Sequence, residues 1–143
     1  MRTALVLTLI LGLSASVFAH EGVKDPQVRA RMDLMKTLAG DEKLIRRMAR
    51  GEETMDLVAA RAAAVRIVQN GHRVTDLFEN RSSDPKSEAK PDIWTDWAAF
   101  SNANARMVEA ATILTSVQGT ADLGTGARHL AETCSACHDR FSD

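Results

Sequence analysis

The side chains near the C-terminus have the types and spacing that point most clearly to chemistry. They read Cys134-Ser135-Ala136-Cys137-His138, and the 143-residue sequence has no other cysteine. On a helix, two thiols three residues apart and an imidazole one residue further share one face. This arrangement is typical of c-type haem attachment, in which each thiol adds to a vinyl group. We therefore expect Cys134 and Cys137 to hold a covalent haem, with His138 as the proximal axial ligand of the iron.

Three other uses of a Cys-x-x-Cys pair fit this sequence less well. A disulfide across two intervening residues closes a very small loop and stabilises little. A redox-active pair is expected at a helix N-terminus beside a βαβ unit, whereas this pair ends the chain and no strands are predicted. A zinc site needs more ligands than two cysteines and one histidine. The alternative that stays open is a buried cysteine pair beside a surface histidine.

The elements that must position the motif are predicted to be helices. Aromatic residues make up only 4% of the chain, whereas helix-forming residues are plentiful. Apolar residues recur at helical spacing in four segments. These segments begin at Asp25-Pro26, near Thr54 to Asp56, at Pro91 and near Ala121, and they end near Gly51, Phe78, Gly119 and Phe141. The expected fold class is all-α, an antiparallel up-down four-helix bundle with a covalently bound haem.

Small residues recur on the predicted inner face of the bundle. Such residues cannot fill the space between four helices at the packing density of protein interiors. We therefore expect the haem to supply apolar volume that these side chains do not. The residues in question are Ala60, Ala64, Ala103, Ala110 and Ala127.

Residues 1–19 have the pattern of a cleavable export signal. Arg2 precedes an apolar run from Ala4 to Leu13, and small residues end the segment at Ala19. The run is too short to span a bilayer, which needs about 20 residues. We expect one mature domain, residues 20–143, with no membrane association. The net charge of -1 gives no electrostatic footprint for nucleic acid.

With this motif on its last helix, the sequence resembles the cytochrome c' family of bacterial periplasmic haem proteins. The segment from Cys134 to Phe141 carries the strongest resemblance. Arg31 to Leu38 resembles the first helix of the family, and Lys90 to Trp94 with Phe100 resembles the opening of its third helix. The resemblance implies one covalent haem c, a location in the periplasm and a homodimer formed through the first two helices.

The sequence departs from the family pattern directly after the aromatic residue that ends the motif. Many members have an arginine there, whereas this chain has Ser142, and Arg140 is displaced by two positions. Any role that the family gives to an arginine on the proximal side is therefore not transferred to this chain.

The resemblance also places Met35 at the distal face of the haem. The family has a bulky apolar residue there, which leaves the iron five-coordinate, or a methionine. Methionine with histidine is an axial pair of electron-transfer cytochromes. We expect Met35 to be the sixth ligand, with Met32 and Met48 as competitors and simple packing over the porphyrin as the alternative. Arg31 is expected to pair with a haem propionate, and its alternative is a solvated arginine.

Two functions are weighed on this basis. The first is a one-electron carrier that exchanges electrons with redox partner proteins in the periplasm, since a saturated iron rearranges little between oxidation states. The alternative is a five-coordinate protein that binds nitric oxide or carbon monoxide at a vacant site guarded by Met35. An enzyme such as a peroxidase would need a distal acid or base, and none is recognisable near Met35, so no enzymatic activity is expected.

The remaining polar residues are predicted to lie at the surface. The histidines outside the motif lack partners at ligand spacing. The cluster of arginines in the first helix is interpreted as a solvated face, and a docking patch for electron transfer is the alternative. These residues are His20, His72 and His129, and Arg46, Arg47 and Arg50.

Overall fold

The computed structural model describes residues 22–143, so the predicted signal peptide and His20 lie outside the described residues. Within that range five helices follow one another: α1 (Pro26–Ala49), α2 (Leu57–Phe78), α3 (Asp92–Thr95), α4 (Trp97–Leu114) and α5 (Thr120–Phe141). Helix α1 packs against α2, α2 against α4, α4 against α5, and α5 against α1. The four long helices form a closed bundle, which confirms the predicted fold class.

Aspartate side chains begin three of the long helices. Asp25 accepts hydrogen bonds from the backbone N–H groups of Gln27 and Val28, and proline occupies the first helical position. Asp56 caps α2 in the same way by accepting from Ala59. Such caps satisfy donors that have no partner inside the helix. The helix starts were therefore predictable from local sequence.

The third predicted helix is interrupted, so the expectation of one continuous helix from Pro91 to Gly119 was wrong. Asp96 has φ -132° and ψ 62°, which ends α3 after a single turn. Its carboxylate accepts the Ala99 N–H and thereby begins α4. The same carboxylate pairs with Arg140 of α5. The break therefore ties the start of α4 to the end of α5.

Polar side chains also join neighbouring helices. Asp41 of α1 is 8% exposed, and its carboxylate accepts a hydrogen bond from Nε of Arg66 at 3.0 Å. This bond links α1 to α2. Buried Asn104 of α4 donates to the Gly71 carbonyl of α2 at 3.0 Å. Because buried polar groups are costly without partners, these bonds fix how the helices face one another.

No helix between residues 22 and 143 combines the length and the apolar character that crossing a membrane requires.

Candidate haem site

A cavity of about 900 Å³ lies between the long helices. All four of them contribute to its walls, and residues 86–89 of the connection between α2 and α3 close one side. Cofactor sites in proteins typically measure about 300–1,000 Å³ and are largely apolar. The size of this cavity therefore suits a cofactor rather than a single ion.

Helix α5 brings the predicted haem-binding residues to this cavity. Cys134 and Cys137 are half-buried free thiols, His138 is exposed, and all three line the cavity. Phe141, one turn beyond, is buried and meets the Phe100 ring edge-on, with 5.4 Å between the ring centroids. The aromatic contact fixes the end of α5, so the three side chains keep one shared face.

The environment of the two thiols differs from that of a redox-active pair. Burial, together with the negative charge of Glu42, raises the pKa of Cys134 to about 11. Burial also raises the pKa of Cys137, although Arg106 opposes the shift. Reactive cysteines have lowered pKa values. Both thiols are therefore protonated at neutral pH, which argues against disulfide exchange chemistry in this chain.

The donor set fits a haem better than a bare metal ion. Residues 22–143 contain no group of three or more histidine, cysteine, aspartate or glutamate side chains that could hold a metal ion. Two thiols and one imidazole on a single helical face, beside a large apolar cavity, instead match the attachment points of a c-type haem. On this chemistry Cys134 and Cys137 would hold the macrocycle, and His138 would bind its iron.

Helix α1 carries all three methionines considered as the sixth ligand, and two of them reach the cavity. Met32 and Met35 are half-buried and line the cavity. Met48 is 4% exposed, packs in the core and is not part of the lining, so its candidacy was wrong. Met107 of α4 does line the cavity. Sequence reasoning missed it because its spacing is that of an ordinary core residue. Ligation by Met35 stays a prediction.

Arg31 is buried rather than solvated, so the alternative of a solvated arginine was wrong. Its side chain is 3% exposed, and burial lowers its pKa. Its Nε donates to the Leu77 carbonyl at 2.8 Å, Nη1 donates to Ser82 at 3.2 Å, and Nη2 donates to Asn80. A guanidinium has five N–H groups, so donors remain for a propionate. Arg31 also lines the cavity, and its predicted pairing with a propionate stands as a prediction.

The guanidinium of Arg31 also lies over two aromatic rings. Its central carbon is 4.7 Å from the Phe78 centroid and 5.3 Å from the Trp94 centroid. The indole of Trp94 donates to the Phe78 carbonyl at 2.8 Å. Arg31 therefore closes the C-terminal end of α2, a role with no local signal because its partners lie about 50 residues away.

The other residues predicted at the surface are exposed or half-exposed, although Arg46 and Arg50 also line the cavity. His72 and His129 are exposed. The arginines of the α1 cluster each have an acidic neighbour, which reduces the positive charge available for docking. The pairs are Arg46 with Glu42 at 3.0 Å, Arg47 with Glu53 at 3.3 Å, and Arg50 with Glu52 at 3.9 Å.

The displaced arginine of the C-terminal motif does not reach the cavity. Arg140 pairs with Asp96 and lies 5.0 Å from the Phe141 ring centroid. It is not among the residues that line the cavity. Its side chain therefore joins two helices.

Most of the alanines expected to leave room for the haem lie elsewhere. Ala60, Ala64 and Ala110 are fully buried in the helical core, and Ala127 is 5% exposed. Of this set only Ala103 lines the cavity. The other four let helices approach closely.

Comparison with known proteins identifies relatives that are cytochromes c', in agreement with a haem site in this cavity. The family model described as Cytochrome C' matches residues 26–142. The cytochrome c' of Rhodopseudomonas palustris is 27% identical, and the alignment covers 99% of this chain and 95% of that protein. The cytochrome c' of Rhodospirillum rubrum is 41% identical over 59 residues, which covers 39% of this chain and 40% of that protein.

Solved structures show the same fold. A ferrous variant of cytochrome c' from Alcaligenes xylosoxidans, solved with bound nitric oxide, superposes with a TM-score of 0.74. The two sequences are 18% identical, and the superposition covers 82% of this chain and 94% of that one. The family match extends over most of the chain and includes every residue that the sequence predicts to bind the haem. This chain belongs to the cytochrome c' family and, with that family, binds one covalent haem c.

Proposed function

We propose that this chain is a periplasmic gas-binding haem protein, with nitric oxide or carbon monoxide as its ligand. The observation that carries the proposal is the wall that α1 presents to the cavity around Met35. Val28, Met32 and Leu38 line the cavity there together with Met35. These four side chains offer a small uncharged ligand an apolar surface. The nitric oxide complex of the Alcaligenes xylosoxidans relative supports the same class of ligand.

The residues of the chain have distinct tasks in this proposal. Cys134 and Cys137 anchor the cofactor, and His138 donates its imidazole nitrogen to the iron. Met35 restricts access to the other side by its bulk. The haem, when bound, supplies an iron that can take a sixth ligand or exchange one electron. Glu42 lines the cavity but is held by Arg46 at 3.0 Å, so it is not a free acid for turnover of a bound molecule.

A second function is carried by the thioether of Met35. A methionine that lines the cavity can close the sixth position, and histidine with methionine suits electron transfer. The chain would then exchange electrons with redox partner proteins in the periplasm. The paired arginines of α1 give no strongly positive docking patch for such a partner.

The spin state of the iron distinguishes the two functions. We expect the ferrous protein to be high-spin and to bind carbon monoxide without a slow preceding step. Met35→Ala should leave the spectrum unchanged and allow faster binding, because a bulky side chain has been removed. Met32→Ala is the matched control on the same wall. A low-spin ferrous spectrum that becomes high-spin only in Met35→Ala would replace gas binding by the electron-carrier function.

A further inference from the structure

One end of the cavity is covered by residues 84–90, which we call the strap. Lys86 to Ala89 line the cavity. The Lys90 N–H donates to the Phe141 carbonyl at 3.0 Å, and the Asp143 N–H donates to the Glu88 carbonyl at 2.9 Å. The strap is therefore bonded to the end of α5, the helix that carries the haem-binding residues.

Asp84 fastens the other end of the strap to the beginning of α1. Its Oδ2 accepts the backbone N–H groups of Lys24 at 2.8 Å and Asp25 at 3.1 Å. Its Oδ1 accepts the N–H of Lys86 at 2.9 Å. The three bonds and the nearby charge of Lys24 lower the pKa of Asp84. The carboxylate of Asp84 thus fixes the position of the Lys86 backbone relative to the start of α1.

Lys86 differs from the other cations that line the cavity. Arg46 is paired with Glu42, and Arg50 lies 3.9 Å from Glu52. The ammonium group of Lys86 forms no ion pair with any residue in the part of the chain that the structure describes. Arg31, bonded to the carbonyls of Asn80 and Ser82, lies at the same end of the cavity. Two cationic residues, buried Arg31 and exposed Lys86, therefore line the cavity beside the strap.

The chemistry of haem gives its orientation in this cavity. The two vinyl groups lie on one side of the macrocycle and the two carboxylates lie on the other. Cys134 fixes the vinyl side next to Glu42, whose charge acts on that thiol. The carboxylates would be repelled by Glu42 and attracted by cations at the opposite side.

We propose that Lys86 is the counter-ion of a haem carboxylate and that Asp84 is the residue that positions it. The pairing rests on covalent haem attachment, but it holds for either of the two functions above. Charges of both signs surround this end of the cavity. Glu88, Asp139 and Asp143 line it, and Lys90 lies 3.9 Å from Asp143. The charge of Lys24 acts on Asp84, and that of Asp25 acts on Arg31.

The test measures the reduction potential of the holoprotein between pH 5 and pH 8. Lys86→Gln should lower the potential, because an uncompensated carboxylate stabilises ferric iron. We expect at least a threefold change in the ferric-to-ferrous ratio, which corresponds to about 28 mV for one electron. The pH at which the potential begins to fall should also rise, because the carboxylate loses the cation that kept its pKa low. Lys86→Arg should restore the behaviour of the unchanged protein.

Two further variants distinguish an ion pair between Lys86 and a haem carboxylate from a general effect of removing positive charge. Arg47→Gln removes a cation of α1 that does not line the cavity and should leave the profile unchanged. Asp84→Ala should shift the potential in the same direction as Lys86→Gln, and the double variant should shift it no further. Thermal unfolding of each holoprotein reports any loss of structure separately. A Lys86→Gln profile equal to that of the unchanged protein, or a shift in Arg47→Gln instead, would overturn the proposal.

Discussion

At the scale of single residues, Arg31 has a structural role that its sequence context conceals. Its donors reach three carbonyl groups beyond or at the end of α2. A buried cation of this kind is tolerated because its hydrogen bonds are made and aromatic rings cover it. The same side chain lines the cavity, so a single arginine links the end of α2 to the haem environment.

The covalent link to the haem is tested at the two cysteines. Acid acetone should leave the pigment on the polypeptide of the unchanged protein, because two thioether bonds hold it. The variant with Cys134→Ala and Cys137→Ala should release all of it. Ser135→Ala, an exposed position between the cysteines, is the control and should retain the pigment. Extraction of free haem from the unchanged protein would contradict covalent attachment.

The residues of the site differ in how far sequence could reveal them. Cys134, Cys137 and His138 lie within five positions, so helical geometry alone places them together. Met35 was predicted as the sixth ligand from the family resemblance, since nothing in the local sequence distinguishes it from Met32. Lys86 could not be found from sequence, because its place depends on bonds from Asp84 to the start of α1.

At the scale of elements, the capping aspartates were visible in sequence and the break at Asp96 was not. The apolar positions Ile93, Trp97 and Phe100 keep helical spacing through the break. The periodic pattern of apolar residues therefore continues through Asp96, although the helical conformation of the backbone is interrupted there. The partner that stabilises the break, Arg140, lies 44 residues further along the chain.

The approach of α2 to α4 depends on Gly71. A Cβ at this position would lie 2.6 Å from Cγ2 of Val108 and 3.0 Å from Cε of Met107. Gly71→Ala should therefore destabilise the holoprotein by about 1–2 kcal/mol, because overpacking outweighs the better helix propensity of alanine. Urea unfolding followed by circular dichroism measures this change.

Gly40 provides the matched control for this substitution. It lies within α1, and a Cβ there would meet nothing within 4 Å. Gly40→Ala should stabilise the protein by up to about 1 kcal/mol through helix propensity alone. Equal stabilisation by Gly71→Ala would show that α2 and α4 do not pack as closely as described.

At the scale of the whole molecule, the cavity ties stability to the cofactor. When no cofactor fills the cavity of about 900 Å³, the apolar side chains that line it have no packing partners on that side. The haem-free chain must therefore admit water or let the helices around the cavity collapse.

Protein produced in the cytoplasm without haem should consequently unfold at a lower temperature and over a broader range than the holoprotein. Calorimetry of both forms measures the difference. The alanine-rich core around Ala60, Ala64 and Ala110 lies outside the cavity, so part of the helicity should persist. A transition of the haem-free chain as sharp and as high as that of the holoprotein would rule out this dependence.

Assembly is the last property that belongs to the whole molecule. The family resemblance implies a homodimer through α1 and α2, and the outer face of α2 carries apolar side chains suited to it. Val58 is 75% exposed, Val65 lies two turns further and is 41% exposed, and Met55 is 37% exposed just before the helix. Burial of a valine contributes about 1.5 kcal/mol, and 1.4 kcal/mol is a tenfold change in Kd.

We expect the holoprotein to be a dimer in sedimentation velocity at micromolar concentration. Val58→Lys and Val65→Lys should each weaken the dimer at least tenfold, because each removes an apolar contact from both copies and places a charge in the interface. Ile113→Lys is the control, since Ile113 is 54% exposed but lies on α4. Dissociation caused by Ile113→Lys while both valine variants stay dimeric would move the interface from α2 to α4.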